Sequence, residues 1–98
     1  MAAARLTHHA RDQLEARSEL SQEELLLILD QDLVVLIGQE PGTTHYHKVF
    51  YSRPDGNYFV VIQDNENGDV ITILPPDYHN RWKISPETFV AARRLITG

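Results

Sequence analysis

The chain predicts an α+β domain: two N-terminal helices, a four-stranded and mainly antiparallel sheet with the helices on one face, and a C-terminal helix, all within 1–98. Three observations carry this. Apolar residues recur at helical spacing near the start and again near the end. The stretch between them is rich in branched and aromatic residues and alternates. The breaks inside that stretch are short Gly and Pro turns of the kind that join hairpins.

The first helix is "HHARDQLEAR". Leu6, Ala10 and Leu14 recur every four residues and stack into one apolar stripe, and Thr7 is placed to cap the helix. A second helix opens at "SQEE", a capping box of Ser21 and Glu24, and buries Leu25, Leu26, Ile28 and Leu29. The short connection around 18–20 predicts that the two helices pack as a hairpin.

The β region begins with "LVVLIG", ending at Gly38. "HYHKVFYSR" follows the loop "GQEPGTT" and ends at the turn "PDGN". "YFVVIQD" runs into "NENG", where Asn67-Gly68 is a hairpin signal, and "DVITIL" is stopped by Pro75 and Pro76. After "PPDYHNRWK", Ser85 caps a last helix with Pro86 at its first position and Phe89, Ala92, Arg93 and Ile96 at helical spacing.

Composition narrows the classes of function. No cysteine is present, which excludes disulfides, Cys-ligated zinc and a Cys nucleophile. The most apolar run, "LLLILDQDLVVLIG", is broken by Asp30 and Asp32 and is too short to span a membrane, and the start lacks the apolar core of a signal peptide. A cytoplasmic protein without a membrane partner is expected. The net charge of −5 opposes nonspecific nucleic-acid binding. It is also uneven: residues 1–44 hold three Arg against eight Asp and Glu, while 45–98 hold six Lys and Arg against six Asp and Glu. The acidic surface is expected on the first two helices, with any phosphate site on the other side.

The residues "HARDQLEARSELSQEEL" resemble the opening of a family of small prokaryotic domains of unknown function. There a His-Ala helix carries Arg or Gln four residues after the His and Arg four further on, before "S-x-E-E". The matching positions are His9, Ala10, Gln13, Arg17, Ser21 and Glu24, and "G-x-hydrophobic-I-T" is met by Gly68, Val70, Ile71 and Thr72. The resemblance covers about 6–80; residues 75–98 form a further loop and the last helix. That family is similar in fold to RelE-type and colicin-type ribonucleases, which cut RNA without a metal. The resemblance implies a toxin-like endoribonuclease or a degenerate relative, with His9, Arg17 and Thr72 as catalytic candidates. RNA and an antitoxin-like protein are the implied partners, with no cofactor and no metal. Gln13 stands where the family more often has Arg, which removes a cation from the phosphate site.

The residue types suit that chemistry. Histidine titrates near neutrality and serves proton transfer, while the guanidinium fork binds phosphate oxygens in pairs. His9, Gln13 and Arg17 lie four apart and form one polar row beside the apolar stripe. His9 is expected to be partly exposed at a groove between the first helix and the sheet, with Arg17 and Thr72 lining it. Gln13, Tyr51 and Arg53 are the substrate-binding candidates, Tyr51 and Arg53 sharing one strand face. Lys48 lies on the opposite face, where packing and solvation explain it. His45 and His47 share a strand face and His79 is the one distant third nitrogen, but no HExxH or paired acidic motif supports a metal site. Trp82, after Arg81, caps a core rather than stacking on a base. The rival reading, from another class, is a non-catalytic module that meets a protein partner through its sheet edge or acidic helices.

Overall fold

The computed structural model describes residues 2–79 and 82–98; Arg81, named above with Trp82, lies outside them. The elements are β1 (Arg5–Leu6), α1 (His8–Arg17), α2 (Gln22–Asp30), β2 (Val35–Gln39), β3 (His45–Ser52), β4 (Asn57–Asp64), β5 (Asp69–Leu74), a 3₁₀ turn (Pro76–Tyr78) and α3 (Pro86–Thr97). The α+β class holds, with two corrections.

First, among the described residues the sheet has five strands and is mixed, in the order β1-β5-β4-β3-β2. β1 runs parallel to β5, with Arg5 opposite Asp69 and Leu6 opposite Val70; the other pairs are antiparallel. A two-residue strand is too short to have a period, so hydrophobic patterning cannot show it.

Second, the helices lie on both faces. On one, Phe50, Phe59, Val61 and Ile73 pack with Leu14 of α1 and with Leu25 and Ile28 of α2. On the other, Val49 and Val60 pack with Ala92, Phe89 and Tyr58 under α3. The cause lies in the strands: Val49 and Phe50, and likewise Val60 and Val61, are adjacent apolar residues with no exposure at all. Neighbours on a strand face opposite ways, so consecutive apolar residues demand cover on both sides. Full burial of a side chain such as Phe50 or Leu25 contributes about 1.5–3 kcal/mol.

The predicted caps form. Thr7 Oγ1 accepts from the Ala10 N–H, Ser21 Oγ from that of Glu24, and Ser85 Oγ from that of Thr88. The α1–α2 hairpin is looser than expected, because each helix sets its backbone against strands instead of its neighbour: α1 against β5 and β1, α2 against β1. Their connection is fixed by Asp55 in the β3–β4 turn. One carboxylate oxygen accepts from the hydroxyls of Ser18 and Ser52, the other from the Glu19 N–H.

Gly68, which closes the β4–β5 hairpin, is the one glycine whose absent side chain is required twice. Its φ is +83°, and a Cβ there would stand 2.0 Å from the Ala3 carbonyl oxygen. The hairpin therefore admits the N-terminal segment directly over its turn.

Candidate functional site

The row predicted on α1 meets β5, and the meeting has a clear structural content. β1 supplies the first bonds to the outer edge of β5: the Arg5 N–H donates to the Gly68 carbonyl at 2.9 Å, and Thr7 donates to that of Val70 through its N–H (3.2 Å) and its hydroxyl (2.8 Å). The chain then turns into α1, and side chains take over from the backbone. Gln13 Oε1 accepts from the Ile73 N–H at 2.7 Å and from the Thr72 hydroxyl at 2.6 Å. Arg17 Nη1 donates to the Ile73 carbonyl at 2.7 Å. A helix thus finishes the ladder that a two-residue strand begins, and satisfies edge groups that would otherwise need a strand or water.

Gln13, Arg17 and Thr72 therefore come together. His9 is exposed and lies one helical turn before Gln13 on the same row. Tyr51 and Arg53 stand elsewhere. Tyr51 pairs with Tyr58 across β3–β4, whereas Thr72 pairs with Ile62 across β4–β5. Four residues along and two strands across separate them by about 16 Å. The Tyr51 ring rests against that of Tyr58 with the Arg93 guanidinium 5.4 Å from its centre. Arg53 is exposed in the following turn.

Lys48 is buried, not solvated; only 9% of it is exposed. It shares a face with Phe50, under the helices, and its Nζ donates to Gln63 Oε1 (2.9 Å) and Asn65 Oδ1 (2.8 Å). Burial holds its pKa below the ordinary lysine value, against the opposing pull of the Asp32 charge. It lines a concavity of ≈ 460 Å³ together with Asp30, Asp32, Leu36 and Tyr46. The signal was available: a lysine two residues before Phe50 on a strand must point the same way as that core residue.

A third cluster joins His47 and His79, with His45 beside them. His47 Nδ1 is 2.8 Å from His79 Nε2, and His47 Nε2 is 3.1 Å from Glu40 Oε1. The Glu40 carboxylate accepts from His47 Nε2, and the two imidazoles share one hydrogen bond between Nδ1 of His47 and Nε2 of His79. Among the described residues, His79 Nδ1 is buried with no partner at ordinary hydrogen-bond geometry. Burial, and then the neighbouring His47, hold the His79 pKa below the ordinary histidine value. The Trp82 ring meets His47 edge-on at 4.7 Å and covers Gly38, where a Cβ would come within 2.9 Å of the indole. His45 stands at the rim, 3.7 Å from both Glu40 and Asp64. Among the described residues no group of three or more His, Asp or Glu is arranged to hold a metal ion, and no helix is long and apolar enough to cross a membrane.

These features define a small α+β domain with side chains closing one sheet edge, a buried amine beside a concavity and a buried imidazole pair. Comparison with known proteins finds no matching family model, no matching curated protein and no matching solved structure.

Proposed function

We propose that this domain is a non-catalytic interaction module: a degenerate relative of the RelE-type ribonucleases in which the row on α1 maintains the sheet instead of cutting RNA. One observation carries the reading. Gln13, Arg17 and Thr72, the groups that would surround a scissile phosphate, are bound to one another's elements at the β5 edge. An arginine whose guanidinium donates to a carbonyl has fewer donors left for a phosphorane, and Gln13 brings no charge at all.

The partner is a protein that adds an extended strand to β2. β2 ends the sheet, so one of its edges has no neighbouring strand among the described residues, whereas the far edge of the sheet is closed by β1 and α1. Leu36 on β2 is 54% exposed and offers an apolar contact beside that edge.

The test has two arms. Purified protein incubated with RNA should leave it intact, and expression alone should not slow growth. Extended peptides selected from a display library should bind the wild type and lose binding with Leu36→Lys. RNA cleavage abolished by His9→Ala would overturn the reading in favour of the ribonuclease. The exposure of His9 on the same helical row as Gln13 and Arg17 is the observation favouring that second reading.

A further inference from the structure

We propose that Lys48 is a nucleophilic amine that captures a small uncharged aldehyde or ketone, as an imine, in the concavity beside it. The proposal rests on where the amine sits and what surrounds it. Lys48 is buried on the helix side of β3, and its two hydrogen-bond partners, Gln63 Oε1 and Asn65 Oδ1, are neutral amide oxygens. No carboxylate approaches within ion-pairing distance among the described residues. An ammonium has three protons to place, and a neutral amine has two and a lone pair. Two acceptors satisfy the neutral amine completely and leave its lone pair free, while the charged form would keep one proton unmatched. Burial favours the neutral form in the same sense.

The concavity supplies the rest of the selectivity. Leu29, Val34 and Leu36 give it an apolar wall, and Asp30 and Asp32 give it negative charge. Lys48 is its one basic lining residue among the described positions. An anionic keto acid would meet two carboxylates with no cation left over once the lysine reacts, so the fitting ligand is an uncharged carbonyl compound with an apolar body. The volume of ≈ 460 Å³ is that of a small-molecule site.

The chemistry balances without any further reagent. The Nζ lone pair adds to the carbonyl carbon, the C=O π pair moves to oxygen, and a nitrogen proton passes to that oxygen to give a carbinolamine. The remaining nitrogen proton and the hydroxyl then leave as water and the C=N bond forms. Neither partner is oxidised or reduced. Asp32, on the same concavity, is the carboxylate available to take up and return the proton in the dehydration step.

The chain provides its own control, because it has two lysines, Lys48 and Lys83, and Lys83 is exposed. The folded protein is incubated near neutral pH with benzaldehyde, or separately with glyoxylate, in the presence of cyanoborohydride to fix any imine. Peptide mass spectrometry then gives the ratio of reductive alkylation at the two lysines. Lys48 should react several-fold faster than Lys83 with benzaldehyde, and the preference should vanish with glyoxylate. It should vanish as well in urea, where both side chains are solvated. Leu36→Trp, a change at an exposed position that narrows the mouth, should slow Lys48 and leave Lys83 unchanged. Lys48 reacting no faster than Lys83 in the folded protein would overturn the proposal. So would a ratio that Leu36→Trp does not move, or one the same for both aldehydes.

Discussion

Replacing Gln13 by alanine tests the central claim about α1, that its polar row is part of the sheet. One oxygen, Gln13 Oε1, accepts from both the Ile73 N–H and the Thr72 hydroxyl. Each such bond contributes about 0.5–1.5 kcal/mol net, and a buried donor left without a partner costs about 1–3 kcal/mol. Ile73 has no exposed surface, so its N–H is poorly placed to recruit water. Gln13 itself is only half-buried, which lets solvent reach the Thr72 hydroxyl. The Ile73 bond therefore dominates, and the loss should be about 1.5–2 kcal/mol. In a domain of this size that lowers Tm by roughly 6–15 °C. Urea unfolding followed by circular dichroism is the assay, with an unchanged slope showing that the native fold is kept. Thr72→Val removes one of the two bonds and should cost less, and the double variant should cost less than the sum because both changes delete the same bond. A loss below about 0.5 kcal/mol for Gln13→Ala, within the range of surface substitutions, would refute the account and return the row to a functional role.

Four further outcomes follow from other parts of the structure. His9→Ala, at an exposed position, should change stability by less than about 0.5 kcal/mol. Gly68→Ala should cost more than Gly56→Ala under the same denaturation. Both have positive φ, but a Cβ at Gly68 meets the Ala3 carbonyl, whereas one at Gly56 meets nothing within 4 Å. The depressed His79 pKa means that the unfolded chain takes up a proton before the folded one does. Stability from this group is full above about pH 6.5 and falls as pH drops through that value towards the folded pKa. His79→Gln, which can still hydrogen-bond His47 but does not titrate, should flatten that slope in thermal melts across the acidic range. Asp55 is pushed upward by its burial but held below the ordinary carboxylate value by the stronger sum of hydrogen bonds from Ser18, Ser52 and Glu19. Its contribution is present above the ordinary aspartate pKa and lost as pH falls through the folded one, and Asp55→Asn should weaken the dependence of unfolding on strong acid.

What the sequence disclosed follows from how far each signal reaches. Caps and turns are local, and Thr7, Ser21, Ser85 and the Asn67-Gly68 turn stood where their residue types placed them. The exposure of His9 was legible from its angle on α1, as was the shared row with Gln13 and Arg17. The second helix face was also legible in principle: the pairs Val49-Phe50 and Val60-Val61 leave no wet side for β3 or β4. Reading those strands as alternating put every helix on one face and gave Lys48 to solvent. The parallel pairing of β1 and the Glu40–His47–His79 chain are different in kind. Each joins residues far apart in the chain through backbone or ring atoms that any sequence of suitable polarity supplies. No period or motif encodes them.

The pairing of β1 with β5 also sets a timetable. Arg5 and Asp69 are 64 residues apart, and closing an unstructured loop of that length costs about 4 kcal/mol of chain entropy before any contact offsets it. The hairpins β3–β4 and β4–β5 close over a few residues and can form first, giving β1 and α1 a prepared surface to dock on. During synthesis β1 and α1 precede β5, so the strand whose outer edge they bond is not yet made. Until then Leu6 has no strand to pair with, and Ala10 and Leu14 lie on a ten-residue helix too short to persist alone. Docking of β1 and α1 thus waits on β5, and a slow folding phase sensitive to Gln13 is its kinetic mark.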